Sequence, residues 1–484
     1  LSEARAEAAA TTPPAVPAQA TWRRAIEPNP ALLFRFSAIR FNSHRNHYDL
    51  DYVAKRVKPE ITLCLADDNF GMYQRDEEIA DYLAHLQDKF GWPKYIRTTT
   101  GKNNKERIIR VMRKVHGAMP MTAAVQSMNP AVLKNIKRDN IKLETYAAIQ
   151  DELKSQGMQS YGELILSLPG ETKASFMKSV KDLLDAGAQR ISAHQLMLLH
   201  GAELSNPDSR ERFGLETRWR LVARNIGNYT GEPVSEVEEM VVATPTFTYA
   251  DYLDTRVFHL LLTIYYYESN FEEAFAWARL AGVSPFEAMT KLHALVAEAP
   301  PELRRVIDEF VRESEEELFH SADDCLAWAQ AHYDGLVSGE VGGNLLSKYS
   351  MIGRFYVLGP ALEFLERGLR AALLDHGHRV SETELSDVIG YLRTVMLDAP
   401  FAESMSVAPE WRTTHDVESW FESGAKTPLS AYCLPRGSAF PTQVDPATKA
   451  LVLSKVQTFG EHPSGLGKFT RTMFARELRR RLAR

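Results

Sequence analysis

MTAAVQSMNPAVLKNIKRDN (residues 121–140) and SYGELILSLPGET (residues 160–172) decide the fold of this chain. Each begins with a short apolar run that ends in polar or Gly/Pro residues, and each is followed by an amphipathic segment. Strand, loop and helix in that order form the repeating unit of an α/β barrel, where the loops after the strands carry the chemistry. The first run ends in Gln126 and Ser127. Asn129-Pro130 then opens a helix, with proline tolerated at the first helical position. The second ends in Leu168-Pro169-Gly170-Glu171-Thr172, a turn whose Gly170 lets a ligand approach the backbone closely. Glu163 stands inside this apolar strand, and a carboxylate there needs a partner.

The same alternation extends to both sides. Strands are expected at 61–66, 94–100 and 191–196, with a first strand at 31–41. Helices are expected at 76–90, capped by Asp76 and followed by Gly91, and at 104–116, 144–156 and 173–186. Helix-sized spacers between strands imply right-handed crossovers and a parallel sheet. Six strands suit a partial (β/α)6 TIM-like barrel. In such a sheet the polar strand ends, among them Asp67, Asn69, Thr98, Gln126, Ser127, Glu171, His194 and Gln195, gather on one face.

From residue 246 the pattern changes to amphipathic helices, at 250–268, 271–282, 285–297, 301–319, 323–335 and 359–375. The expected organisation is therefore a disordered linker or cut edge at 1–30, the partial barrel at 31–245, a helical domain at 246–400, and a mixed segment with a basic tail at 401–484. The tail, from Lys468 to Arg484, reads as a solvated terminal helix, or else as a surface for RNA or an acidic partner.

Composition excludes several classes. The 484 residues are 44% hydrophobic and 25% charged, ordinary for a globular protein. A formal charge of −6 gives no whole-chain case for nucleic-acid binding. Cys64, Cys325 and Cys433 lie far apart and form no disulfide framework, which fits a reducing, cytoplasmic setting. The longest apolar run, 257–267, is too short to span a bilayer.

Residues 61–268 resemble the radical S-adenosylmethionine (radical SAM) enzymes, in particular the group joined to a cobalamin (B12)-binding domain. The resemblance rests on ADDNFGMYQRDEEIADYL (66–83), TTGKNNKERI (99–108), VQSMNPAVLKNIKRDNI (125–141), ELILSLPGETKASF (163–176) and EEMVVATPTFTYADYLDTR (238–256). It implies a barrel that holds S-adenosylmethionine on a four-iron four-sulfur (4Fe-4S) cluster and forms a 5′-deoxyadenosyl radical, or transfers methyl groups with cobalamin. It also implies a small-molecule substrate and an electron donor such as flavodoxin or ferredoxin.

Carried over by position, Gln126 would meet the ribose of S-adenosylmethionine with Ser127 beside it, and Arg138 would reach the carboxylate, to which a guanidinium is suited. Ile165 and its neighbours, with Glu163 and Gly170 on the same strand and turn, would face the adenine. Asp67 and Asn69 would lie near the methionine moiety or the substrate. Ser167 stands where the resemblance leads one to expect Gly.

The departure is the cluster motif. The family binds its cluster through CxxxCxxC after the first strand, three thiolates leaving one iron open. Residues 31–47 contain no cysteine. The chain is thus expected to be either a piece or degenerate form of such an enzyme, or a non-catalytic barrel acting as a binding or scaffold module.

Overall fold

The computed structural model describes residues 50–57, 61–67, 69–100, 104–119, 121–138, 143, 144, 146, 147, 150, 160–470 and 478–483. The linker expected at 1–30, the strand expected at 31–41 and most of the helix expected at 144–156 lie outside them. The chain divides into two units, meeting in sequence between Ala118 and Met119.

In the first unit, β1 (Leu63–Cys64) runs parallel to β2 (Ile96–Arg97), joined through helix α1 (Gln74–Phe90) and followed by α2 (Lys105–Lys114). The two strands are much shorter than expected; one further parallel bridge joins Phe70 to Thr100. Asp76 is not the cap residue of α1 but sits in its first turn. Its buried carboxylate reaches back to accept from the N–H groups of Gly71 and Tyr73, at 2.9 and 3.0 Å, satisfying donors that a helix start leaves free. At the other end Gly91 takes φ +66° and closes the helix onto Gln87.

The second unit is built on a parallel sheet of β3 (Met121–Gln126), β4 (Ser160–Leu166) and β5 (Ile191–Gln195), with β4 central. Short helix α3 (Pro130–Asn135) follows β3, and α4 (Lys173–Asp185) connects β4 to β5. The sequence KASFMKSVKDLLD makes α4 amphipathic. Phe176, Val180, Leu183 and Leu184 recur at helical spacing and are buried, packing in one core with Leu164 and Leu166 of β4. Thr172 caps α4: its hydroxyl accepts from the Ser175 N–H, and Ser175 Oγ accepts from the Thr172 N–H, each at 3.0 Å.

A long antiparallel hairpin follows, β6 (Glu216–Tyr229) and β7 (Glu232–Ala243), turning at Thr230-Gly231. The chain just past β5 pairs with β7, Leu198 donating to Glu239 O at 2.9 Å and Val241 donating to Leu196 O at 2.8 Å. The second unit therefore carries an antiparallel extension beyond the last strand expected from the sequence. The described sheets are small and open, and the fold is mixed α/β.

The region beyond is helical, as expected: α5 (Tyr249–Tyr265), α6 (Glu272–Leu280), α7 (Pro285–Ala294), α8 (Pro301–Glu316), α9 (Ala322–Ala331), α10 (Leu358–Asp375) and α11 (Glu382–Val395) among others. Their apolar faces join the core under β4 and β5, with Phe258, Leu261, Phe310, Leu365 and Leu392 all buried. Three short antiparallel strands, β8 (Glu410–Arg412), β9 (Ala439–Gln443) and β10 (Arg481–Leu482), close the C-terminal part.

Two arginines near the end of the basic tail are held inside the fold, while Arg481 is exposed. Arg479 pairs with the buried Glu273 at 2.8 Å. Arg480 donates to the carbonyls of Thr394, Met396 and Ser404 at 3.1, 2.7 and 2.6 Å. No described helix is long and apolar enough to cross a membrane.

Candidate functional site

In the second unit the ends of β3 and β4 share an unusual backbone. Gln126 and Ser167, each closing its strand, both adopt φ +61°, the left-handed region that side chains disfavour. A register shift between Ala124 and Gln126 accompanies the first. Ser167 is buried, and its hydroxyl has no hydrogen-bond partner among the described residues. An unsatisfied buried hydroxyl at a strained strand end calls for an explanation, which a ligand or a water would supply.

Glu171 holds the two strand ends together. It is 0% exposed. Its carboxylate accepts from Ser127 Oγ at 2.7 Å and from Ser175 Oγ, while its main-chain carbonyl accepts from Thr246 Oγ1 at 2.7 Å. Ser127 Oγ in turn accepts from the Asn129 N–H at 3.1 Å. Ser127, expected beside a cofactor, is thus turned into this clamp. The sequence signal was available in Glu171-Thr172 followed by Ser175, a first-turn polar cluster.

Gly170 has φ +82°, and a Cβ there would stand 2.7 Å from Asn135 Nδ2, which donates to Pro169 O at 2.9 Å. What approaches Gly170 closely is therefore the end of α3. Arg138 follows α3, its N–H bonded to Leu133 O at 2.9 Å; its side chain is exposed, with no partner among the described residues. Ile165 is half-buried against a small apolar cluster of Val132, Leu168, Leu196, Leu198 and Val241 beneath these loops. Glu163 lies on the same face of β4 as Ile165 and finds its partner on β5, His194 Nε2 at 3.6 Å.

Asp67 and Asn69 belong to the first unit. Asp67 Oδ1 accepts from the Asn69 N–H at 2.8 Å, and Thr98 Oγ1 donates to Asp67 O at 3.2 Å, a local turn that ties the ends of β1 and β2 together.

His259 of α5 packs against β5, where the Ala193 N–H approaches its Nε2 at 3.4 Å. Burial, reinforced by the neighbouring His194, Arg190 and Arg256, pushes this imidazole down to about 3 from its ordinary 6.5. Between those values the unfolded chain takes up a proton that the folded chain refuses, so acidification removes stability. From pH 6.5 to 5 the loss expected from this residue is about 1.6 kcal/mol. Denaturant unfolding at the two pH values should show it, and His259→Gln should flatten the difference; an equal pH response in both proteins would refute the assignment.

Two kinds of comparison bear on this geometry. The relatives found are methyltransferases by name, one of them a cobalamin-dependent radical SAM enzyme. One is "Cobalamin-dependent radical SAM methyltransferase TokK" of Streptomyces tokunonensis, 33% identical over 211 residues, 42% of this chain and 30% of that protein. Another is "2-(S-pantetheinyl)-carbapenam-3-carboxylate methyltransferase" of Streptantibioticus cattleyicolor, 32% identical over 224 residues, 45% of this chain and 32% of that protein. The chain thus spans about a third of the length of these curated relatives. Separately, a family model described as "Htd2: Hydroxyacyl-thioester dehydratase type 2" matches residues 1–57, of which only the last few are described.

The resemblance to cobalamin-dependent radical SAM methyltransferases therefore stands on curated relatives as well as on motifs. The cluster does not fit the described residues. Cys64 and Cys433 are exposed and Cys325 is buried on α9, and among the described residues no group of three or more His, Cys, Asp or Glu could hold a metal ion. The S-adenosylmethionine residues fit better: Arg138 offers a guanidinium unengaged by the described residues, and Ser167 an orphaned hydroxyl at the strand end.

Proposed function

We propose that this chain serves methyl transfer to a small molecule, as part of a radical SAM-type methyltransferase, and that the ends of β3 and β4 bind S-adenosylmethionine. The observation that carries the reading is the 33% identity over 211 residues to a cobalamin-dependent radical SAM methyltransferase. In this reading the architecture is the partial (β/α)6 barrel expected from the sequence. S-adenosylmethionine supplies the methyl group. Arg138 holds its carboxylate through paired N–H donors, Gln126 meets the ribose hydroxyls as donor and acceptor, and the backbone around Ile165 and Gly170 lies along the adenine. Glu163 with His194 flanks the reacting end. No radical step is assigned to these residues, since the thiolates for a 4Fe-4S cluster are not among them. Cobalamin dependence belongs to the relative and comes to this chain only with the proposal.

The scattered cysteines favour a second reading, a binding module that retains the cofactor pocket without the reaction. Both readings require S-adenosylmethionine binding. Isothermal titration should give a dissociation constant in the high-micromolar to millimolar range, about 4–5 kcal/mol. Arg138→Ala should weaken it about tenfold, the loss of one charge-assisted contact, while Lys134→Ala should leave it unchanged. No binding by the wild type, or equal affinity in all three proteins, would reject the proposal. Transfer of a labelled methyl group to an acceptor by the wild type would reject the second reading.

A further inference from the structure

The second unit contains a cavity of 390 Å³ between the end of β5, the base of the β6–β7 hairpin, and helices α5 and α8. Its walls include Arg190, Arg220 and Arg256, opposed by Glu238 and Glu317. Three fixed positive charges therefore face two carboxylates, with His194 also at the wall. The rest is largely apolar, with Leu166, Phe310, Leu345 and Leu346.

The arginines are not equally engaged. Arg220 donates through Nε to Glu238 at 2.6 Å and through a terminal nitrogen to the Gln195 amide oxygen. Arg256 is only 7% exposed. One of its terminal nitrogens lies 3.1 Å from Glu317, and the other donates to Tyr252 Oη at 3.3 Å. Its Nε–H has no partner among the described residues, and the hydroxyl of Tyr267, which lines the same cavity and is 3% exposed, has the Ile191 backbone N–H beside it but donates to no described group. Two buried donors are thus unsatisfied in one chamber, each costing about 1–3 kcal/mol in that state. Native proteins rarely tolerate this without water or a ligand.

We propose that this cavity is a binding site for a small carboxylate with an apolar or aromatic body, gripped by Arg256 and Tyr267. A carboxylate suits a guanidinium edge and a neighbouring hydroxyl, because it accepts planar, charge-assisted hydrogen bonds and carries one negative charge. One negative charge also balances the excess of the three arginines over the two glutamates. A phosphate would bring more charge than the walls offset. The apolar wall, with the Arg256 guanidinium 5.2 Å from the Phe310 ring centroid, accommodates the body of the ligand. The same positive surroundings keep the adjoining His259 neutral. The cavity shares His194 with the methyl-transfer centre proposed above, so the inference deepens that reading and rests on it in part.

The test is titration of the full chain with benzoate, benzamide and inorganic phosphate, without S-adenosylmethionine. Benzoate should bind at one site per chain and saturate, with benzamide and phosphate at least tenfold weaker. Tyr267→Phe, which removes one hydroxyl and keeps the ring, should weaken benzoate several-fold, and Arg256→Gln at least tenfold. S-adenosylmethionine affinity should be unchanged in Tyr267→Phe, which separates failure here from failure of the methyltransferase reading. Should Arg256→Gln not fold, Tyr267→Phe decides alone. Absence of benzoate binding, equal binding of benzamide, tighter binding of phosphate, or wild-type affinity in the Tyr267→Phe protein would overturn the proposal and leave water as the occupant.

Discussion

Arg354→Met is expected to destabilise the second unit by about 3–5 kcal/mol, because it removes a buried charge that terminates a helix. Arg354 is 1% exposed. It donates to the carbonyls of Ile264 and Tyr267, each at 3.3 Å, and to that of Thr263. These are the last carbonyls of α5 and the turn after it, the groups a helix end leaves without partners. Methionine keeps most of the volume, so the loss should come from the stranded carbonyls rather than from a void. Arg354→Ala should cost more, by the cavity it adds. Urea unfolding of both variants measures this, and a loss below about 1 kcal/mol for Arg354→Met would show that the helix end finds other donors. Thr263 and Tyr267 also line the carboxylate cavity, so benzoate affinity should fall along with stability.

Much of the second unit was legible because its signals are local. GELILS followed by LPGET marks a strand and its stop, and Thr172 with Ser175 marks the next helix start. The helices beyond residue 246 follow from apolar spacing alone. PELRRVIDEFVRESEE, for instance, buries Leu303, Val306, Ile307 and Phe310 at intervals that only a helix aligns. The failures are all long-range. The β6–β7 hairpin was missed because Arg and Glu are interspersed along both strands, so no continuous apolar run marks them. They are stable there because they pair across the hairpin, Arg220 with Glu238 at 2.6 Å. The basic tail resembled a solvated run, yet Arg479 finds Glu273 from two hundred positions away, at 2.8 Å.

The candidate site divides along the same line. Gln126 and Ser167 could be placed at strand ends from sequence, but not their left-handed backbone, which depends on how each strand meets its loop. Ser127 was read as a neighbour of the cofactor, and its hydrogen-bond partner Glu171, 44 positions later, was not foreseen. The cavity was invisible for a stronger reason: Gln195, Arg220, Arg256 and Glu317 come from three separate elements and a helix cap, and no window of sequence contains them together.

Glu171→Ala should show whether the two strand ends are in fact tied together. The substitution leaves Ser127 and Ser175 without their common acceptor and opens a void in a fully buried place. Hydrogen bonds to a carboxylate contribute roughly 1.5–3 kcal/mol each. Both hydroxyls keep weaker partners, Ser127 the Asn129 N–H and Ser175 the Thr172 backbone, which moderates the loss. The expected cost is about 3 kcal/mol for alanine and roughly 1 kcal/mol for Glu171→Gln, which retains the shape and one acceptor oxygen. The distinction from an ordinary core mutation lies in a second measurement. If the clamp sets the backbone at Gln126, S-adenosylmethionine affinity should fall in Glu171→Ala at temperatures where the protein is still folded, and recover largely in Glu171→Gln. Loss of stability with unchanged affinity would confine Glu171 to packing. Stability within about 0.5 kcal/mol of the wild type for alanine would remove the clamp altogether, since a buried carboxylate with two hydroxyl donors cannot be lost so cheaply.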